Sequence, residues 1–370
     1  MHGRPAPRRR ARRIRTRSRS SRSPGKEYVT TNRGVLPIVE ARDLRKVFRT
    51  VKRTPGALGA LRSLVSPEYE ERVAVGDVTF ALEPGELVGY IGPNGAGKST
   101  TIKMLTGILV PTSGQVRVAG LVPWKSRKEN ARNIGVVFGQ RSQLYWDLPL
   151  IDSFELLRAI YGIPPDRYRR NLNEFIDILE MSDFLRTPVR QLSLGQRMRG
   201  DFAAALLHGP KVVYLDEPTI GLDVVAKEAI REFIARINAE RGATIVLTTH
   251  DLADVERLCR RIVLIDRGTL IYDGDIDRIK SEYGRFRTLV VRFSQPVALP
   301  ELEGAQLSGV EDSSARFRFD RNLQRADRLV RQASERYSVE DVSLEEPDLE
   351  SIIRRIYIEG YERRPEEGAS

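Results

Sequence analysis

The sequence predicts an α/β protein: a mainly parallel sheet covered by helices, antiparallel strands at the N-terminal side, a helical insert and a small α+β C-terminal appendage. Short apolar runs at 87–91, 212–215, 244–247 and 262–265 are bounded by polar residues and separated by helical stretches, the pattern of buried parallel strands. The segment 73–83 instead alternates, with Val78, Phe80 and Leu82 against Thr79 and Ala81, as in a sheet with one buried face. From 151 to 207 the spacing turns helical, with Phe154, Leu157 and Ile160 in step and 173–179 resuming the pattern.

In chain order, the first 34 residues are an arginine-rich tail. Ten arginines and no acidic residue lie within 1–22, and subtracting these ten from the net charge of +11 leaves +1 for the remainder. With almost no apolar residues to pack, the tail is expected to be disordered. The neutral remainder argues against nucleic acid as the partner. Strands are expected at 35–48 and 73–83, with an irregular insertion over 50–71 marked by Pro55-Gly56 and Pro67. A helix is expected over 100–105 with Gly107 as its stop, then a turn at Pro111-Thr112-Ser113-Gly114 leading into a strand at 115–118. After about Gly284 the texture changes: strands at 288–293, 315–319 and 339–342, with helices at 323–336 and 349–357. The domains are therefore placed at 1–34, 35–285 (helical subdomain about 150–207) and 286–370. No run of 18 or more apolar residues occurs, so no membrane-spanning helix is expected. The single Cys259 shares a helical face with Leu252 and Val255, as a core filler does. His208, in Leu206-Leu207-His208-Gly209-Pro210, is read as a structural turn residue.

The chemistry starts at Gly92-Pro93-Asn94-Gly95-Ala96-Gly97-Lys98-Ser99-Thr100, which meets the spacing GxxxxGK[ST] between an apolar strand and a helix. Glycines let successive N–H groups turn toward phosphate oxygens, and the helix start adds its positive end. Lys98 supplies charge to the β- and γ-phosphates, and the Ser99 hydroxyl is suited to magnesium. Gly92, Asn94, Gly95, Ala96, Gly97, Lys98, Ser99 and Thr100 are thus read as a nucleoside triphosphate site. The run 212–217 delivers Asp216 and Glu217 at the carboxyl end of a strand, where ligands bind in parallel α/β sheets. Asp216 is placed in the magnesium shell, and Glu217 is the general base or water-polarising group for attack on the γ-phosphate.

These motifs, with three more in order, resemble the nucleotide-binding subunit of ATP-binding-cassette (ABC) transporters over residues 35–285. Gln140, after Val136-Val137-Phe138-Gly139, fits the family's Q-loop. Leu192-Ser193-Leu194-Gly195-Gln196 resembles the signature, Pro218-Thr219-Ile220-Gly221-Leu222-Asp223 the D-loop, and His250 after Leu247-Thr248-Thr249 the switch histidine. The resemblance implies a P-loop ATPase core using ATP and Mg2+. It implies that Gln140 senses magnesium and the attacking water, and that His250 contacts the γ-phosphate. Ser193, Gly195, Gln196 and Asp223 join the nucleotide site across a dimer. Leu194 stands where the commonest signature has glycine, and its side chain is expected to point away from nucleotide. Phe48 best matches the adenine-stacking position, with Tyr69 as competitor. Tyr145 and Trp146, just after Gln140, are read equally as anchors for a membrane partner or as core.

The expected assembly is a homodimer or heterodimer of nucleotide-binding subunits, peripheral at the cytoplasmic face of the membrane, driving an integral-membrane permease on a separate chain. An exporter is the leading reading. The alternatives are an importer ATPase, or a soluble ABC ATPase acting on nucleic acid or ribosomes. Against the last, only 95 positions separate Lys98 from Ser193, too few for a long coiled-coil insert, and the chain has one phosphate loop.

Overall fold

A computed structural model describes residues 36–51, 69–139, 141–284 and 286–359. The arginine-rich tail, the body of the 50–71 insertion and Gln140 lie outside the described residues.

The main sheet has nine strands. They are β1 (Val39–Val51), β2 (Tyr69–Leu82), β3 (Leu87–Ile91), β4 (Ser113–Val118), β5 (Ile134–Phe138), β6 (Val212–Asp216), β7 (Thr244–Thr248), β8 (Arg261–Asp266) and β9 (Thr269–Asp275). Their order is β4-β1-β2-β9-β8-β3-β7-β6-β5. The β8-β3-β7-β6-β5 block is parallel, whereas β1 runs antiparallel to both β2 and β4, and β9 to β8. The strand expected at 35–48 starts and ends later, at Val39–Val51, and the one expected at 73–83 starts earlier, at Tyr69: Thr50 pairs with Glu70 and Val51 with Tyr69, so both described ends of the insertion continue the hairpin.

Strand periodicity explains the layers. Val213 and Leu215 of β6, Ile245 and Leu247 of β7, and Ile262 and Leu264 of β8 enter one apolar cluster, while Val212, Tyr214, Val246, Val263 and Ile265 enter another. Alternate side chains leave opposite faces of a strand, and both faces here are covered. That is why the runs read as continuously apolar. Helix α1 (Lys98–Leu105) buries Ile102, Met104 and Leu105 in the second cluster, under the antiparallel strands. The first cluster is filled by the helical insert, α3 (Leu150–Tyr161), α4 (Pro165–Ile178) and α5 (Leu194–Leu206), and by α6 (Val224–Arg241). The short α2 (Arg127–Asn133) precedes β5. Within α3, Phe154 and Leu157 are buried, but Ile160, in step with them by sequence, is 58% exposed.

Helices α7 (Leu252–Leu258) and α8 (Ile276–Tyr283) flank the carboxyl-terminal strands of the sheet. Beyond them β10 (Phe286–Phe293), β11 (Gln306–Glu311), β12 (Ser314–Asp320) and β13 (Val339–Glu345) form a second, antiparallel sheet in the order β11-β12-β10-β13. Helix α9 (Ala326–Arg336) covers it through Leu329 and Ala333. The final helix α10 (Leu349–Glu359) does not close this unit. Its Leu349, Ile352, Ile353 and Ile356 belong to the large cluster of the main sheet.

Candidate functional site

The loop 92–97 leaves the carboxyl end of β3 and enters α1 through Gly97, whose φ of 106° is left-handed. A Cβ there would lie 2.5 Å from the Ala74 carbonyl oxygen, so both backbone conformation and space demand glycine. Lys98 is buried, and its Nζ donates to the carbonyls of Gly92 at 2.6 Å and Pro93 at 3.4 Å. Burial lowers its pKa, opposed by the nearby charges of Glu217 and Asp216. The ammonium therefore sits in the loop with two carboxylates in electrostatic reach.

Asp216 and Glu217 stand at the end of β6, between β5 and β7. Asp216 accepts from the Thr248 hydroxyl at 2.5 Å and from the Ser99 hydroxyl at 3.4 Å. Glu217 is turned by a left-handed φ of 55°, and its N–H donates to the Thr248 carbonyl at 2.9 Å. Its carboxylate Oε2 lies 2.7 Å from His250 Nδ1 and accepts from the His250 N–H at 3.3 Å. One carboxylate is thus oriented by the imidazole and the other by two hydroxyls. The Ser99 hydroxyl and Asp216 carboxylate form a hard-oxygen pair suited to magnesium, and the loop amides and Lys98 suit phosphate.

Two residues passed over by sequence reading help build this geometry. Thr248 bridges β7 to Asp216. Gly139 donates its N–H to the Asp216 carbonyl at 2.8 Å, and a Cβ on it would fall 2.1 Å from the Glu217 carbonyl oxygen. A Gly-Gln pair after an apolar run was the only local signal for the second.

The structure gathers the phosphate loop, Asp216, Glu217 and His250. Ser193, Gly195, Gln196 and Asp223 form a separate group. Ser193 caps α5: its hydroxyl accepts from the Gln196 N–H at 3.2 Å, while the Gln196 side chain accepts from the Ser193 N–H at 3.0 Å. Among the described residues no hydrogen bond or ion pair joins this cap to the phosphate loop. Asp223 caps α6 through the Ala226 N–H at 2.8 Å. Leu194 turns toward that neighbouring cap, its Cδ2 lying 3.2 Å from where a Cβ on Gly221 would sit.

Phe48 lies opposite Arg72 in the β1–β2 register, with Lys46 Nζ 5.3 Å from its ring centroid. Val75, three residues along β2 from that partner, packs toward Gly97, whereas exposed Tyr69 pairs at the far end with Val51. Along the hairpin, Phe48 thus stands nearer than Tyr69 to the end that meets Gly97. Tyr145 and Trp146 are not core, being 41% and 53% exposed. Trp146, with Arg197 over its ring at 5.6 Å, borders a groove of about 340 Å³ lined also by Phe138, Arg141 and Asp201. His208 is structural: its ring stacks on Tyr161 at 4.2 Å and its Nε2 lies 3.0 Å from the Ile134 carbonyl. Cys259 is buried, which raises its pKa. No helix among the described residues is long and apolar enough to cross a membrane.

Residues 75–220 match the ABC transporter family. The "Probable multidrug ABC transporter ATP-binding protein YbhF" of Escherichia coli (strain K12) is 34% identical over 241 residues, 65% of this chain and 41% of that protein, so the chain spans less than half its length. The "Nod factor export ATP-binding protein I" of Paraburkholderia xenovorans (strain LB400) is 35% identical over 252 residues, 66% of this chain and 82% of that protein. Among solved structures, a dimeric ATP-binding cassette in a post-hydrolysis state, bound to ADP and Pi, aligns with a TM-score of 0.53 and 26% identity, covering 64% of this chain and 98% of that one. A phosphate loop, a strand-borne carboxylate pair and these relatives agree: the chain belongs to the ABC transporter family, among its ATP-binding P-loop ATPases.

Proposed function

We propose that this protein hydrolyses MgATP at a site shared between two copies and uses the cycle to drive a membrane permease carried on a separate chain, as an exporter. The observation that carries the chemistry is the Glu217–His250 contact of 2.7 Å beside the Asp216–Ser99 pair. Ser99 and Asp216 would hold magnesium, which supplies Lewis-acid charge to the phosphates when bound. Lys98 and the loop amides bind the β- and γ-phosphates. Glu217 orients the attacking water and accepts its proton, and His250 fixes that carboxylate and reaches the γ-phosphate. Gln140 would monitor the metal and the water, and Phe48 would stack on adenine. Ser193, Gly195 and Gln196 would cap the γ-phosphate of the partner copy, with Asp223 beside them.

Both halves of such a site are complete in one chain, which favours a homodimer over a heterodimer; the two sites then share one isologous interface. The exposed Tyr145–Trp146 pair and its groove suit a short segment of the permease, which supports the reading of a peripheral protein at the cytoplasmic face of the membrane. The exporter reading leans on relatives named for multidrug transport and Nod factor export. Glu217→Gln should retain ATP binding while slowing turnover about 100- to 10,000-fold and accumulating an ATP-held dimer in size-exclusion chromatography. Hydrolysis near the unmodified rate would remove Glu217 from the chemistry.

A further inference from the structure

Behind the phosphate-facing groups the fold buries another carboxylate. Asp254, in α7, is 1% exposed. Its Oδ2 accepts from the Thr219 hydroxyl at 2.7 Å, and its Oδ1 from Arg231 Nε at 2.6 Å and also from Arg231 Nη2. Asp254 and these two partners come from three segments that frame the Glu217–His250 pair. Thr219 is two residues past Glu217, in a turn where the Ile220 N–H donates to the Glu217 carbonyl at 3.4 Å and the Leu222 N–H to the Thr219 carbonyl at 3.3 Å. Arg231 lies on α6, whose cap is Asp223. Asp254 itself is four residues past His250, and its N–H donates to the Asp251 carbonyl at 3.2 Å.

The surrounding charges hold the arrangement from the other side. Lys227 Nζ donates to Asp251 at 2.9 Å, Arg231 lies 4.0 Å from the same carboxylate, and Glu228 takes Arg231 at 3.5 Å and Arg257 at 2.7 Å. Asp251, next to His250, is thereby tied to α6 independently of Asp254. Burying a carboxylate is unfavourable unless its lone pairs are filled. Asp254 is satisfied only when the turn after Glu217, α6 and α7 stand in one mutual placement. Thr219 adds to this a charge-assisted hydrogen bond to the carboxylate, one contact beside the Arg231 pair, so its loss should shift the turn rather than unfold the chain.

We propose that Asp254, acting through Thr219, is a positioning residue for ATP hydrolysis: it registers the turn behind Glu217 against the helix that follows His250, so that carboxylate and imidazole meet the γ-phosphate as one unit. The inference rests on the roles given above to Glu217 and His250. The test measures kcat, KM for ATP and melting temperature in the full chain for Thr219→Val, Thr219→Ser and Asp254→Asn, with Glu217→Gln alongside. Thr219→Val keeps the volume and removes the hydroxyl. It should lower kcat about 10-fold with KM changed by less than about twofold, and Thr219→Ser should recover most of the rate, since misplacement rather than lost binding is at issue. Asp254→Asn should fall in the same direction and further. If Thr219→Val turns over like the unmodified protein while Glu217→Gln is slow, the positioning role is wrong and the site assignment stands. If Glu217→Gln is itself fast, the assignment fails and takes this inference with it. Equal loss of rate in Thr219→Val and Thr219→Ser, in step with melting temperature, would mean the contact merely stabilises the fold.

Discussion

At the scale of single residues, the site is held by atoms that carry no reactive chemistry. Gly139 is the sharpest case, because the Glu217 carbonyl occupies the place of its absent Cβ while Glu217 already sits at positive φ. Gly139→Ala must push that carbonyl, and overpacking of this kind costs about 1–3 kcal/mol. The expected outcome is a lower melting temperature together with a kcat loss larger than in Gly309→Ala, whose added methyl meets nothing within 4 Å. Equal activity in the two variants would show that the backbone behind Glu217 is free to shift. Legibility at this scale followed locality. Lys98, Asp216 and Glu217 stand in short motifs whose spacing already implies phosphate chemistry, and His250 was readable only through the resemblance to the ABC family. Thr248, Gly139 and Asp254 were not, because their partners lie on other strands or helices and only the assembled sheet brings them to Asp216, Glu217 and Thr219.

At the scale of elements, the start of α5 is built twice over. Its reciprocal cap satisfies two N–H groups, those of Gln196 and Ser193, at an end whose dipole favours an anion. Ser193→Ala should cost about 0.5–2 kcal/mol of stability as a lost cap, read by urea denaturation. If the same end serves the partner copy's nucleotide, steady-state hydrolysis should drop further than that destabilisation explains. A rate that merely tracks stability would confine Ser193 to capping. The spacing of Ser193 and Gln196 made this helix start legible, and the apolar runs made β3, β6, β7 and β8 legible. Strands β5, β9 and β11 were missed: the end of β5 was read only as the lead-in to Gln140, and Gly274 and Gly309 interrupt short, half-exposed runs. The helix expected from residue 323 begins instead at Ala326, because the Leu323 and Gln324 N–H groups are taken by the Asp320 carbonyl in a turn.

At the scale of the whole molecule, two buried groups tune stability in opposite senses over one pH window. Burial pushes Asp201 from an ordinary 3.8 up to about 6, against hydrogen bonds from Gln143 and Ser142 and the charge of Arg197. The folded protein thus keeps that proton longer than the unfolded chain, and this contribution to stability is lost as pH rises from about 4 to about 6. Burial pushes His208 from 6.5 down to about 4, with the Ile134 carbonyl opposing and Arg167 assisting. Its contribution is lost as pH falls through the same range. The two slopes oppose, each limited to about 1.4 kcal/mol per pH unit. Relative to the unmodified chain, Asp201→Asn should make stability climb more steeply with pH, and His208→Gln should flatten or reverse the climb. Urea unfolding at several pH values would check this, and parallel curves for all three proteins would refute it.

The last helix also changes what counts as the end of the ATPase body. Leu349, Ile352, Ile353 and Ile356 are buried with the main-sheet residues, and the Tyr357 hydroxyl donates to the Ile265 carbonyl at 3.3 Å, at the tip of β8. Each such side chain is worth about 1.5–3 kcal/mol when covered. A shortened version clipped at the start of the small sheet would therefore carry a raw greasy scar, inviting clumping, even though every phosphate-binding motif survives upstream of the cut.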